Sequence, residues 1–141
     1  MARVLAALLV VLTLILQARA DGDEDVVRDL LMRTFDKPDS RLVVGPIVIA
    51  RDHALVDWSQ AATGGRALLR RSRNIWELVL CSGDGIRSAK ALQQAGVPAA
   101  DAHSLSKALA AAEKAVAAER LKLFSSFEGT VRMTDGGRSD Q

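Results

Sequence analysis

The sequence predicts an α+β fold with an N-terminal helix, a four-stranded antiparallel β-meander and two or three C-terminal helices. Apolar residues recur at helical spacing over residues 24–35, short β-rich runs follow over residues 42–81, and helical spacing returns from Ile86. The connections between the β-rich runs are short and polar or contain glycine, which is typical of hairpins. Together these observations indicate one antiparallel sheet backed by helices.

The first helix is indicated by a stripe of apolar residues at intervals of three and four positions. The stripe consists of Val26, Val27, Leu30, Leu31 and Phe35. We expect this helix to end before Pro38, because proline disfavours the helical conformation of the residue that precedes it.

Four strands are indicated by runs of β-branched or alternating residues. They cover residues 42–49, 54–58, 66–70 and 75–81. Pro46 has no backbone N–H to donate, so the first strand should lie at an edge of the sheet or contain a bulge at this position.

The alternation within the strands predicts one apolar face and one solvated face. The apolar face would carry Val56, Trp58, Trp76, Leu78 and Leu80, and the other face Asp57, Ser59, Arg66, Arg70 and Glu77. We expect the charged residues of the second face to form cross-strand pairs in solvent. A small site for an anion or an acidic partner is the alternative.

The C-terminal part of the chain predicts helices. One helix follows Ile86 and ends at Gly96, and the alanine-rich residues 99–127 are helical with a break near residues 117–119, because one unbroken helix would be unusually long. The polar residues 134–141 predict a disordered tail.

Residues 1–20 have the pattern of a secretory signal peptide. One positive charge precedes an apolar run over residues 4–16, and the small residues Ala18 and Ala20 precede the expected cleavage site after Ala20. The run is shorter than the roughly 20 residues that span a bilayer. The sequence therefore predicts export, a single mature domain over residues 21–133, and no membrane insertion after cleavage.

The charge of the mature chain argues against a nucleic-acid partner. Arg3 and Arg19 leave with the signal peptide, so 17 basic residues remain against 17 acidic ones. Aromatic residues make up only 4% of the sequence, too few for a surface that stacks nucleobases.

Cys81 is the only cysteine, so the chain has no internal disulfide. Its place in an apolar run favours burial as a small hydrophobic residue. A metal ligand and an intermolecular disulfide are the alternatives.

No catalytic arrangement is visible around the two histidines. His53 and His103 have no acid or nucleophile at a fixed spacing, and we expect both on the solvated surface. The predicted strand order places His53 about 15–20 Å from Cys81, which excludes a shared site. Nucleotide-binding, serine-hydrolase and zinc-protease motifs do not occur. The sequence thus predicts a protein that is not an enzyme.

Six segments in order resemble one family. They are residues 34–38, 52–58, 64–70, 76–84, 95–98 and 124–131. Together they resemble the copper uptake system-associated proteins, which are small exported bacterial proteins. The resemblance implies a periplasmic location and a partner that is a periplasmic or membrane protein of a copper uptake system. It assigns no site residues.

Direct copper binding would need a site assembled in space. Cu(I) favours thiolate, thioether and imidazole ligands, but Met32 and Met133 are the only methionines after the signal and lie far apart. Cys81 would be the strongest ligand. Its second ligand would come from the same end of the sheet, from the helix that carries His103, or from a second subunit.

Two functional hypotheses follow. The first is a non-enzymatic accessory protein of copper uptake that acts through a protein partner or through weak copper binding. The second is a small-ligand-binding or enzymatic domain, like NTF2-like or cystatin-like proteins, with a pocket between sheet and helices. A pocket lined by Trp58 with a charged residue inside would favour the second. The sequence leaves the oligomeric state open.

Overall fold

A computed structural model of the chain describes residues 21–133. The predicted signal peptide (residues 1–20) and the predicted disordered tail (residues 134–141) lie outside the described residues. No helix within residues 21–133 is long and apolar enough to cross a membrane.

The predicted α+β architecture is confirmed. Helix α1 covers residues 21–35. The elements that follow are β1 (Leu42–Ala50), β2 (His53–Gln60), β3 (Thr63–Ser72), β4 (Ile75–Ser82), a 3₁₀ helix (Asp84–Ile86), α2 (Ala89–Gln94), α3 (Ala99–Glu113), α4 (Ala118–Phe124) and β5 (Thr130–Arg132). The strands form one sheet in the order β1-β2-β3-β4-β5, with every neighbouring pair antiparallel.

Strand β1 is an edge strand and also has an irregularity at Pro46. The register of β1 against β2 shifts between Val44 and Ile47. Two arginines bind the carbonyl groups of this stretch: Arg28 Nη1 donates to Val44 O at 2.6 Å, and Arg120 Nη2 donates to Gly45 O at 2.8 Å. These side chains occupy carbonyl groups that would otherwise be free to pair with another strand.

The short strand β5 was not predicted. It pairs with β4 through three residue pairs: Leu80 with Arg132, Cys81 with Val131, and Ser82 with Thr130. Three residues are too few to show a strand period in the sequence, which is why β5 was not predicted. The strand forms by pairing with the outer edge of β4.

Both faces of the sheet are buried, in contrast to the predicted solvated face. Helix α1 covers one face with Val27 and Leu31, and α2 and α3 cover the other with Leu92, Leu105 and Leu109. We call these the α1 face and the α3 face.

The polar side of the sheet is the part of the prediction that was wrong. Asp57, Ser59 and Arg66 have exposed fractions of 0%, 5% and 1%. They are buried because Arg66 and residues of the C-terminal helices form ion pairs there, so the helices pack on this face without leaving its charges unpaired. Arg70 and Glu77 behave as predicted and form an exposed cross-strand pair at 3.6 Å.

The position of Leu80 also differs from the prediction. The register of β3 against β4 shifts by one residue, since Leu68 pairs with Leu80 and Leu69 with Leu78. The extra residue, Val79, reverses the alternation beyond it. Leu80 therefore lies on the α3 face with Leu68, and Cys81 lies on the α1 face with Trp76 and Leu78.

The long C-terminal helical region breaks close to the predicted position. Helix α3 ends at Glu113 and α4 begins at Ala118. The C-terminal segment (residues 118–133) then crosses one end of the sheet. Its backbone lies so close to β3 and to the end of β4 that glycine is required at the contact positions. A Cβ atom on Gly83 would lie 2.6 Å from Phe127 O, and one on Gly64 would lie 2.9 Å from Leu123 O.

Candidate functional site

A cavity of about 140 Å³ lies on the α1 face. Its wall comes from α1, three of the first four strands and the C-terminal segment. The lining residues are Leu31, Phe35, Leu42, Trp58, Gln60, Cys81, Phe127, Val131 and Met133. None of them carries a formal charge. The cavity therefore suits an apolar group or a soft ligand better than an ion that keeps its hydration shell.

Two polar side chains in the wall have different roles. Gln60 Nε2 donates to Phe35 O at 2.8 Å and to Ser40 O at 2.6 Å, so it fixes the connection between α1 and β1. Trp58 packs edge-on against Phe127, with ring centroids 5.8 Å apart. The indole Nε1 of Trp58 is buried and has no hydrogen-bond partner among the described residues. Such an atom is unusual, because most buried polar side-chain atoms have a hydrogen-bond partner.

Cys81 is buried, as its apolar run predicted, with an exposed fraction of 5%. Burial raises the pKa of its thiol to about 11. The thiol is therefore protonated at neutral pH, and it lacks the depressed pKa of a catalytic nucleophile.

The β4–β5 pairing brings Met133 to the same cavity. Cys81 lies opposite Val131, and the backbone N–H of Met133 donates to Val79 O at 2.8 Å. Met133 is two positions beyond Val131 and shares its side of the strand. Diagonal neighbours of this kind are about 7–8 Å apart, within reach of a long side chain. A thiol and a thioether that are remote in sequence thus line one cavity.

Sequence reasoning missed Met133 as a neighbour of Cys81. The signal that could have found it is the β-branched pair Thr130 and Val131 after Gly129, which favours a short strand. Only the pairing of that strand with β4 brings Cys81 and Met133 to one cavity wall. Pairing between segments so far apart in the sequence leaves no periodic pattern.

The structure does not bring His103 to Cys81. His103 is exposed on α3, whereas Cys81 faces α1 across the sheet. Within residues 21–133, no three or more His, Cys, Asp or Glu side chains are placed together to hold a metal ion. The sulfur-lined cavity remains the place where the described residues gather soft ligands.

His53 was expected in a solvated turn. It lies instead at the start of β2 and is largely buried. Its side chain is 12% exposed, and its Nδ1 lies 3.8 Å from Asp101 Oδ2. Burial lowers the pKa of His53, although Asp101 opposes this effect. His53 pairs with Arg70 near one end of β3, and Cys81 pairs with Ala67 further along it, so the two remain apart as the strand order predicts.

Trp76 is anchored outside the cavity. Its Nε1 donates to Asp23 Oδ1 at 3.3 Å, and the guanidinium of Arg71 lies 5.1 Å from its ring centroid. Arg71 also donates to both carboxylate oxygens of Asp23, at 2.8 and 2.9 Å. These contacts attach α1 to the sheet and agree with the prediction that Trp76 is a core residue.

The α3 face contains a second unusual group of side chains, which we call the Arg66 cluster. It consists of Asp57, Arg66, Asp84, Arg87 and Glu113. Arg66 contacts three carboxylates: Glu113 Oε1 at 2.7 Å, Asp84 Oδ1 at 2.9 Å and Asp57 Oδ1 at 3.2 Å. Arg87 binds the other oxygen of Glu113 at 2.8 Å.

Asp57 is the least satisfied member of the cluster. Both of its carboxylate oxygens are buried without a hydrogen bond of good geometry in the described part of the chain, although Arg66 lies close. Burial raises the pKa of Asp57 to about 7, Arg66 opposes the shift, and Glu113 adds to it. Asp57 and Arg66 are inaccessible to solvent, whereas Asp84 and Arg87 at the outer end of the cluster are 58% and 46% exposed.

No protein-family model, no curated protein and no solved structure matches this chain.

Proposed function

We propose that this chain is an exported, non-enzymatic accessory protein of copper uptake that holds Cu(I) weakly in the apolar cavity on its α1 face. The observation that carries the proposal is the placement of Cys81 and Met133 in one cavity wall. The sequence resemblance to copper uptake system-associated proteins supports the same metal. The partner would be a periplasmic or membrane protein that delivers or receives the ion.

The ligand chemistry of the cavity agrees with Cu(I). Thiolate and thioether sulfurs are soft ligands that favour Cu(I) over hard cations. Binding replaces the proton of the Cys81 thiol, so one thiolate and one Cu⁺ ion form a neutral pair. A neutral pair is compatible with a cavity whose wall has no formal charge, where an uncompensated ion would be strongly disfavoured.

A non-enzymatic role is supported by the state of the reactive groups. The raised pKa of Cys81 keeps its thiol protonated, and the carboxylates of Asp57 and Glu113 are buried away from the cavity in the Arg66 cluster. His53 and His103 lie at neither of these places. The described residues thus offer the cavity a binding chemistry and no acid–base pair.

A small apolar ligand is the second candidate, since the cavity wall is almost entirely apolar. Trp58 lines the cavity, as this alternative required, but no charged residue does. A volume of about 140 Å³ is close to that of cavities that hold benzene-sized molecules.

A Cu(I) competition titration tests the proposal. The purified mature protein is titrated with Cu(I) against a chromogenic chelator under anaerobic conditions, together with Cys81→Ser, Met133→Leu and His103→Ala. Met32→Leu is the matched control, because Met32 is half-buried on α1 and does not line the cavity. We expect Cys81→Ser to abolish binding, Met133→Leu to weaken it about tenfold or more, and the other two variants to bind like the wild type.

Two outcomes would contradict direct copper binding in the cavity. If the wild type does not compete with the chelator, the cavity is not a copper site. If Cys81→Ser binds as well as the wild type, the ligands lie elsewhere. In either case, displacement of a fluorescent apolar probe by benzene-sized molecules would distinguish the small-ligand alternative.

A further inference from the structure

The Arg66 cluster connects the sheet to the two helices that precede the cavity wall. Arg66 projects from β3 and binds Glu113 at the last residue of α3. Its Nη1 also lies 3.4 Å from Phe124 O at the end of α4. The ring of Phe124 is fully buried, with the guanidinium of Arg66 5.8 Å and that of Arg120 5.2 Å from its centroid. Arg66 and Arg120 thus both attach the end of α4 to the sheet.

The residues that close the cavity follow directly after this attachment. Phe127, Val131 and Met133 belong to the C-terminal segment and form one side of the cavity wall. Between them and the sheet, Ser126 Oγ accepts from Gly64 N at 3.2 Å, and Ser82 Oγ donates to Gly129 O at 2.9 Å. Val131 and Met133 are also held by the β4–β5 pairing, which covers three residues at the end of the segment. The docking of α4 therefore adds to this pairing and positions the wall mainly at Phe127.

The charges around Asp57 are not balanced when every member is ionised. Arg66 from β3 and Arg87 after the 3₁₀ helix face three carboxylates, namely Asp57 from β2, Glu113 from α3 and Asp84 from the 3₁₀ helix. Arg120 of α4 also reaches this strand and donates to Ser59 Oγ, but within residues 21–133 it forms no ion pair with these three carboxylates.

Two carboxylates compete for one donor in this arrangement. The Nε atom of Arg66 lies 3.0 Å from Glu113 Oε1 and 3.2 Å from Asp57 Oδ1. One proton on Asp57 would remove the repulsion between these two carboxylates. Arg66 would then form ion pairs with Glu113 and Asp84 only. Without that proton, the repulsion acts directly between β2 and the end of α3.

We infer that the Arg66 cluster is a pH-sensitive latch that holds the C-terminal segment against the sheet when Asp57 is protonated and loosens it, opening the cavity, when Asp57 loses its proton. The latch acts on the wall residues Phe127, Val131 and Met133 through the end of α4. It is independent of which ligand the cavity holds.

The direction of the pH effect follows from burial. Because burial raises the pKa of Asp57 to about 7, its protonated fraction is high in mildly acidic solution and falls as the pH rises through neutrality. The closed state is therefore favoured on the acidic side of neutral pH and the loosened state on the basic side.

Quenching of Trp58 fluorescence tests the latch. The chain has two tryptophans, so Trp76→Phe leaves Trp58 as a single reporter in the cavity wall. Acrylamide is uncharged, so its own quenching does not vary with pH. We expect the quenching constant of Trp58 to rise roughly two-fold between about pH 5.5 and pH 8.5, and Asp57→Asn, which imitates the protonated acid, to remove that rise.

Hydrogen exchange of the unsubstituted protein gives the same test without any variant. After correction for intrinsic exchange, amides of residues 124–133 should lose protection over the same pH range, while those of β2 and β3 keep theirs. A pH-independent quenching constant in the Trp76→Phe protein would overturn the latch. An equal rise in the Asp57→Asn protein would overturn it as well, and so would constant protection of residues 124–133.

Discussion

Asp57 and Arg66 lie opposite each other in the β2–β3 register and are both inaccessible to solvent, with Arg66 Nε 3.2 Å from Asp57 Oδ1. Arg66 is among the largest fully buried side chains described. An isolated charge at this depth would be strongly destabilising. The additional ion pairs of Arg66 with Glu113 and Asp84 offset that cost.

The first prediction concerns Arg66 and stability. Arg66→Met leaves the carboxylates of Asp57 and Glu113 buried without their common cation. Removing one partner of a buried pair costs about 3–5 kcal/mol, so the free energy of unfolding should fall by about that amount. Urea denaturation at neutral pH measures it.

Arg70→Met is the matched control for this substitution. Arg70 lies on the same strand but pairs with Glu77 in solvent, with side chains 51% and 45% exposed. Exposed pairs contribute about 0–1 kcal/mol, so this variant should unfold nearly as the wild type does. Equal losses in the two variants would contradict a central role for the Arg66 cluster.

The second prediction is the pH dependence of stability. The pKa of Asp57 is raised by burial from 3.8 to about 7 in the folded state, so folding favours the protonated acid. The contribution of this group to stability is complete below about pH 4 and is lost as the pH rises to about 7. Asp57→Asn cannot lose a proton and should flatten the decline in unfolding free energy over this range. A decline that is as steep in the variant would contradict the assignment.

The third prediction concerns the close approach of the C-terminal segment to the sheet. Gly83→Ala would place a Cβ atom 2.6 Å from Phe127 O, so the segment must move. We expect a loss of about 1–3 kcal/mol in urea denaturation, as for other overpacked sites, and a change in Trp58 fluorescence. Gly22→Ala is the control, because no atom lies within 4 Å of its added Cβ. Unchanged stability of Gly83→Ala would mean that the segment is not packed here as described.

The fourth prediction concerns the reactivity of the thiol. Cys81 is 5% exposed, and burial raises its pKa to about 11. Since the thiolate is the reactive form, a disulfide reagent should modify folded protein at least about 100-fold more slowly than unfolded protein at mildly basic pH. Comparable rates with and without denaturant would contradict a buried, protonated thiol.

The order of helices and strands was predictable because each element carries its own local signal. The stripe in α1 has helical spacing, the strands are rich in β-branched residues, and Pro46 indicated an irregular edge strand, as observed. These signals need only neighbouring residues.

The features that were missed depend on contacts between distant parts of the chain. Alternation in β2 and β3 correctly separated Asp57 from its apolar neighbours, but it could not show that α3 and α4 cover the polar face. The extra residue Val79 reversed the expected direction of Leu80. Cys81 was expected to be buried, whereas its neighbour Met133 depended on the unpredicted pairing of β5.

X-ray absorption at the copper edge identifies the atoms that bind Cu(I) in the loaded protein. We expect Cu(I)-loaded wild-type protein to show a first shell with two sulfur ligands, from Cys81 and Met133, and Met133→Leu to lose one of them while Met32→Leu keeps both. A first shell of nitrogen or oxygen ligands, or the same sulfur shell in Met133→Leu as in the wild type, would contradict a copper site in this cavity.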